Sequence, residues 1–273
     1  SCGRRVSLPT YFTYSIGGHY HATDNLTLTS NLGLAWRAPH VFELYSNGNE
    51  LGSGRFVRGD STMNSENSYK WVTSAEYRST FLDVRLDAYL QWVKNYIYDR
   101  PMKGQHVTVI SGTYPLFQYM QTDAFIRGID LDLRIRPLAE VEYHFVSAMI
   151  WANERHTNNY LPYIPSFRFN HSLTYTPKLS GKFAPWLELK HRFVARQHRF
   201  DAATDLIDFA PASYSLFGFE VGTEWKIDAH NALRLFVSAD NIFNKEYKEY
   251  TNRARYYAHD LGRDIRLTLG WKF

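Results

Sequence analysis

Nowhere in these 273 residues is there an apolar run of about 18, the length a helix needs to cross a bilayer. A membrane-spanning helix is thereby excluded. A spanning strand is not, because it needs only about 9–11 residues and turns half of them toward water. There is a single cysteine, Cys2, so an internal disulfide is impossible and cysteine says little about compartment. Neither sign of charge dominates, with 31 Lys and Arg against 27 Asp and Glu. The two signs alternate along the chain instead of gathering into the basic patch that a nucleic-acid binder needs, so no nucleic-acid partner is expected. Missing as well are a Gly-x-Ser-x-Gly elbow, a phosphate loop and a zinc-protease motif. Neither an enzyme nor a resident cofactor is expected. Ser1 to Thr10 shows no basic stretch followed by an apolar core, so no export signal is visible.

Aromatics are plentiful: 20 Tyr, 18 Phe and 7 Trp, in a chain whose mean hydropathy is only −0.41. Alternation is the dominant pattern. In the last nine residues Ile265, Leu267, Leu269, Trp271 and Phe273 share one face of a strand, with Arg266, Thr268, Gly270 and Lys272 on the other. Inside the chain, Ile129, Leu131, Leu133 and Ile135 oppose Asp130, Asp132, Arg134 and Arg136. Four charges spaced two apart require a wet face with partners of both signs. A water-filled barrel lumen provides one, and so does the outer face of an ordinary soluble sheet.

The same period predicts strands at Tyr11–Thr23, Leu26–Trp36, Tyr69–Arg78, Val84–Tyr98, around Ile129–Arg136, Val141–Trp151 and Phe167–Tyr175. Others follow at Trp186–Ala195, Tyr214–Ile227, Leu233–Phe243 and Ile265–Phe273, with almost no helix. Short turns at Asp24–Asn25, Pro137–Glu140, Lys178–Ala184 and Asp228–Asn231 alternate with long connections. The long ones are expected at Pro39–Asn67, Asp99–Tyr114, Ala152–Pro165, Arg196–Ser213 and Asn244–Leu261. Outer-membrane barrels have short periplasmic turns and long extracellular loops. The expected fold is all-β, an antiparallel transmembrane β-barrel. About eleven strands are counted, half of the 22 found in plugged outer-membrane transporters. An odd count and no export signal both fit the C-terminal part of a longer protein.

Four motifs, in order, carry a family likeness. Trp36-Arg37-Ala38-Pro39-His40-Val41-Phe42-Glu43-Leu44-Tyr45 is similar to a Phe-Arg-Ala-Pro box followed by Glu-Leu-Tyr. Gly59-Asp60 to Glu66 partly matches a Gly-Asn/Asp-Pro-x-Leu-x-x-Glu segment, without its Pro and Leu. Asn241-Ile242-Phe243-Asn244-Lys245-Glu246-Tyr247 and Gly262-Arg263-Asp264 then precede a terminal strand ending on Phe273. Together they resemble the TonB-dependent outer-membrane receptors. The resemblance implies energised uptake of an iron–siderophore, haem or metal complex, with an N-terminal plug and a TonB-contacting segment that this stretch lacks. It also implies an integral outer-membrane location, contact with lipid and lipopolysaccharide, and assembly machinery that reads Ile265, Leu267, Leu269, Trp271 and Phe273 as its signal. Tyr114-Pro115-Leu116-Phe117-Gln118-Tyr119 and Leu161-Pro162-Tyr163-Ile164-Pro165 resemble receptors of the zinc- and haem-uptake type. Those relatives often carry His after the Ser-Asn-Gly segment, where this chain has Asn49, Glu50 and Leu51.

By that likeness Arg37, His40, Glu43 and Glu50 fall beside a substrate-accessible pocket, although Arg37 pairing with a lumen carboxylate explains it equally well. His106, His156 and His198, in or beside the expected long connections, are candidates for catching a metal or haem. His19 and His21 share a strand face, and His191 falls among Leu187, Leu189 and Phe193, where a barrel-wall position is expected. Competing readings are a passive porin or adhesin-like barrel, a barrel phospholipase and a soluble β-sandwich. The chain is expected to require detergent for extraction; recovery as monodisperse protein from plain buffer contradicts the barrel reading.

Overall fold

Strands with period-two alternation pair edge to edge, and in the computed structural model, which describes residues 12–179, 181–228 and 231–273, nearly every predicted strand lies beside its sequence neighbour. In chain order they are β1 (Tyr14–His21), β2 (Leu26–Arg37), the short β3 (Asn47–Glu50) and β4 (Arg55–Arg58), and β5 (Glu66–Arg78). Then come β6 (Leu82–Val109), β7 (Gly112–Leu138), β8 (Val141–Glu154) and β9 (Arg168–Tyr175). The series ends with β10 (Phe183–Val194), β11 (Tyr214–Lys226), β12 (Ala232–Asp240) and β13 (Asp264–Lys272). One short helix, α1 (Val41–Tyr45), interrupts the connection after β2. Tyr11, the start expected for the first strand, and the expectations for Cys2 and Ser1 to Thr10 lie outside the described residues, as do parts of the turns at 178–184 and 228–231.

The main path β1-β2-β5-β6-β7-β8-β9-β10-β11-β12-β13 is antiparallel throughout and contains the expected eleven strands. Among the described residues the sheet is not closed: β1 pairs only with β2, and β13 only with β12.

Register sorts the side chains into two faces. The row Tyr77–Val84–Leu133–Phe145–His171–His191–Phe217 crosses seven strands and holds no Asp, Glu, Lys or Arg. One residue along, the row Arg78–Asp83–Arg134–His144–Ser172–Lys190–Gly218 holds the charges. A one-residue step flips every side chain to the other face, so the faces differ in kind. On the ionic face Arg136 donates to Asp83 at 2.8 Å and to Glu142 at 2.9 Å, His144 meets Asp132 at 2.9 Å, and Arg266 donates to Asp240 at 2.6 Å. The other face is uncovered: Ile265, Leu267, Leu269, Trp271 and Phe273 are all exposed. His191 belongs to it, hydrogen-bonded to His171 at 2.7 Å and stacked on Phe217 at 4.4 Å.

No second layer packs on this wall among the described residues. Most of what is buried lies toward the long-connection end, where Val93, Ala124, Ile126, Ala152, Leu161 and Ile164 form a cluster. There the expected connection at 99–114 proves wrong. β6 and β7 stay paired past the wall to Val109 and Gly112, as one long hairpin. Pro101, Lys103 and Gly104 read as loop residues. The pairing absorbs them instead in an irregularity between Pro101 and His106, with Gly104 at φ +77°, and Asn95 at φ +58° marks a second one. The connection after β2 is likewise not plain loop, since it holds α1 and the β3–β4 hairpin. β4 then pairs in parallel with β7, Phe56 opposite Leu116.

Gly128 shows how tightly the ionic face packs. A Cβ there would stand 2.3 Å from the Tyr89 ring of the facing strand, which also carries the Lys70 ammonium at 4.9 Å. Gly128→Val is expected to displace that ring and to cost about 1–3 kcal/mol, read as a lower unfolding temperature in a heat-modifiability gel. Gly18→Val, with nothing within 4 Å of its Cβ, is expected to leave the transition in place.

Candidate functional site: the mouth formed by the long connections

Antiparallel order puts the long connections and the tip of the extended β6–β7 hairpin at one end of the wall and the remaining short turns at the other. At the long end the first device is built from Arg37, Pro39 and Glu43. Pro39 has no N–H to continue the ladder of β2. The chain turns into α1, whose first free N–H, that of His40, donates to Glu43 Oε2 at 2.7 Å. Arg37 grips the same oxygen at 2.9 Å and reaches Glu66 Oε2 at 3.3 Å; Glu66 also accepts the Ile97 N–H at 3.0 Å. Burial pushes the Glu43 carboxyl up, but Arg37 and the His40 N–H outweigh it and hold the group below its ordinary range. Arg37 and Glu43 therefore come together to anchor a loop to the wall.

Farther out, Glu50 accepts from Ser53 and Arg55, and Arg55 also binds Asp99 on β6. Arg253, from the connection after β12, grips both oxygens of the same Asp99. Asp99 is 3% exposed; burial raises its pKa, yet the Arg253 and Arg55 guanidiniums hold it below the usual carboxylate range. Next to it Arg255 and Asp205 form an ion pair in which each side chain is 1% exposed. The Arg255 guanidinium lies 5.0 Å from the Tyr250 ring and 4.5 Å from that of Tyr256, and it donates to the Tyr250 carbonyl at 3.1 Å. Tyr256 and Tyr163 share a hydroxyl–hydroxyl bond of 3.0 Å, and Arg253 covers the Tyr163 ring at 4.7 Å. Burial and the Asp205 charge push the Tyr250 phenol up to about 12. Tyr257 donates to the Gly54 carbonyl at 2.7 Å, and Lys103 to the Ala202 carbonyl at 3.2 Å and to Asp208.

These bonds join the connections after β2, β8, β10 and β12 to the β6–β7 hairpin. Buried charges are held only where pairing and hydrogen bonds are complete, and Arg255 meets that demand with a carboxylate, a carbonyl and two rings. The result is a mouth of fixed shape. Exposed on it are Val41, Phe42 and Tyr45 of α1, with Phe42 edge-on to Tyr119 at 6.1 Å. On the ionic face beneath, a recess of about 560 Å³ is lined in part by His144, Ser172, Lys190, Arg192, Asp240 and Tyr247.

Among the histidines, His40 is exposed at the start of α1. His106 lies on β6 opposite Pro115, in strand rather than loop. His156 is exposed and meets Asp123 at 3.4 Å, and His198 is exposed in the connection after β10. Among the described residues no three His, Cys, Asp or Glu side chains stand close enough together to hold a metal ion. His19 and His21 do share a face, with rings 5.3 Å apart. Sequence reasoning missed Asp99, Asp205, Arg253 and Arg255. Their only sign was charge inside connections, which normally means a solvated surface.

Among protein families, a model described as "TonB dependent receptor-like, beta-barrel" matches residues 4–242. Among solved structures the fold is similar to that of the copper transporter OprC, 20% identical with a TM-score of 0.71, over 94% of this chain and 37% of that one. It is also similar to the siderophore receptor PirA from Acinetobacter baumannii (17% identity, TM-score 0.65, 96% of this chain and 41% of that one). The ferric enterobactin receptor PfeA from Pseudomonas aeruginosa gives 16% identity and a TM-score of 0.67, over 96% of this chain and 40% of that one. This chain thus spans about two fifths of the length of these structures. No curated protein matches it.

Removing one partner of a buried ion pair costs about 3–5 kcal/mol. Asp205→Asn is therefore expected to open the connections at 195–213 and 241–263 to limited proteolysis while the wall stays heat-modifiable. Asp99, with its lowered pKa, contributes at neutral pH and loses that contribution only as the pH falls through the lowered value. Acidification is expected to reproduce the loosening in the native chain. Equal cleavage of native and variant protein at neutral pH contradicts the interlock.

Proposed function

We propose, from the premise that this chain belongs to the TonB-dependent receptor β-barrel family, that it forms the C-terminal wall and much of the mouth of an outer-membrane receptor for a metal complex. The observation that carries this reading is the junction of a two-faced, single-layer wall with a mouth whose loops are locked by buried charges. A wall with one ionic and one bare apolar face fits lipid outside and water inside. A pre-shaped mouth fits selective capture better than free passage, because ordering the loops in advance lowers the cost of binding. In this reading a plug and a TonB-contacting segment come from parts of the protein beyond this chain, and TonB supplies the energy for uptake.

The names of the similar structures, a copper transporter, a siderophore receptor and a ferric enterobactin receptor, support a metal complex as cargo. Where an axial imidazole would be expected, Asn49 donates to Ser111 at 3.0 Å and Glu50 is engaged with Ser53 and Arg55. Recognition within this chain then falls to the organic shell of the complex, met by Val41, Phe42 and Tyr45, with the exposed His40, His106, His156 and His198 as further contacts. Arg37, Glu43 and Glu50 act by holding the loops that present them.

Growth of a strain lacking the full-length gene, under iron, copper or zinc limitation, tests the proposal. Growth is expected to be restored for one metal complex by the intact gene, and only while TonB is present. Rescue without TonB supports a passive barrel instead. A triple His106→Ala, His156→Ala, His198→Ala variant that binds the cargo unchanged removes those three side chains from the ligand set.

A further inference from the structure

One guanidinium breaks the division between the faces. The row Leu32–Trp71–Leu90–Arg127–Trp151 runs across the bare apolar face of β2, β5, β6, β7 and β8, and Arg127 is its single charge. The row toward the mouth is Leu34–Tyr69–Trp92–Phe125–Asn153, and the row on the other side is Ser30–Thr73–Ala88–Ile129–Met149. Among the described residues Arg127 meets only rings, Phe125 at 5.7 Å and Trp151 at 6.0 Å, and no carboxylate.

Its height on the wall explains how it is tolerated. Arg127 stands eight residues above Ile135 on β7, about 20 Å up at about 3.3 Å per residue and a strand tilt of about 40°. That is close to the upper edge of an apolar band about 25 Å tall, where a charge costs least.

Two recesses meet at this side chain. One, of about 200 Å³, is lined by Arg127 and Arg155 together with Trp92, Phe125 and Asn158 at the mouth end of the wall. The carboxylates beside it are engaged elsewhere. Glu154, which also lines it, accepts the Tyr98 and Thr157 hydroxyls, and Asp123 accepts the Asn95 N–H and faces His156. The other recess, of about 440 Å³, extends along the wall between Trp71 and Trp151 over the small Ala88, and is almost wholly apolar. Two guanidiniums to which no carboxylate is bonded call for an anion, and the planar fork of Arg matches phosphate. The groove below them calls for a hydrocarbon chain. Only a molecule that is both, lying at the membrane interface, fills the pair.

We propose that the two recesses seat one phosphorylated lipid of the outer leaflet, its phosphate on Arg127 and Arg155 and an acyl chain between Trp71 and Trp151. The proposal rests on the barrel reading above. The test uses the full-length protein in phosphatidylcholine nanodiscs containing diphosphorylated lipid A, with retained lipid counted by native mass spectrometry. Arg127→Leu with Arg155→Gln is expected to lower lipid A retention about tenfold or more, since bonds to charged groups are the strong ones. Arg127→Lys keeps the charge without the fork and is expected to fall between. Dephosphorylated lipid A is expected to bind native and variant protein equally. Unchanged lipid A retention in the double variant overturns the proposal. So does equal loss of phosphatidylcholine, or retention of free inorganic phosphate by the native protein in discs lacking lipid A. Failure of the native protein to enter the discs overturns the barrel reading, and this inference with it.

Discussion

A peptide group in hydrocarbon has no water to bond, so every N–H and C=O that crosses a bilayer must find its partner in the protein. Strand-to-strand pairing is one of the two solutions, and it leaves the side chains free to divide by parity. That division governs this molecule. Ile129 to Arg136 of β7 put apolar side chains on one face and charged ones on the other, and the same split runs from row to row across the sheet. A wall made this way needs no hydrophobic core, which is why its apolar side chains stay uncovered and its charges pair with one another along the opposite face.

Burial is concentrated where the wall ends. Five segments distant in sequence meet around Asp99, Asp205, Arg253 and Arg255, and charge holds them together more than apolar packing does. A buried guanidinium is costly unless fully answered, and Arg255 is answered on every side. The arrangement fixes one geometry for the mouth. Arg37, Glu43 and Glu66 do the same at its base, where β2 gives way to α1. Wall and mouth are thus held by different physics, strand pairing for one and enclosed ion pairs for the other.

Much of the wall was legible in the sequence, because period-two alternation is imposed by the strand itself. Ile129 to Arg136 reads correctly without any neighbour, and so does Ile265 to Phe273. The β6–β7 hairpin did not. Beyond Tyr98 it runs past the wall, no division between an apolar and an ionic face imposes alternation there, and Pro101 and Gly104 resemble a loop when they mark an irregularity in paired strands. The mouth was legible only at its start, where Arg37, Pro39 and Glu43 form a local pattern. Asp99 and Arg253 are 154 positions apart, and nothing local to either announces the other. Arg127 was equally silent: one charge between Ile126 and Gly128 gains meaning only once the register places it on the apolar face.

The central claim, that odd positions of β7 face lipid and even ones face water, is most directly tested by spin labels placed singly at 129 through 136 in the full-length protein in bilayers. The account predicts collision with oxygen peaking at 129, 131, 133 and 135, and collision with a water-soluble nickel chelate peaking at 130, 132, 134 and 136. Accessibility to both reagents without a two-residue period, or with the two sets exchanged, contradicts it.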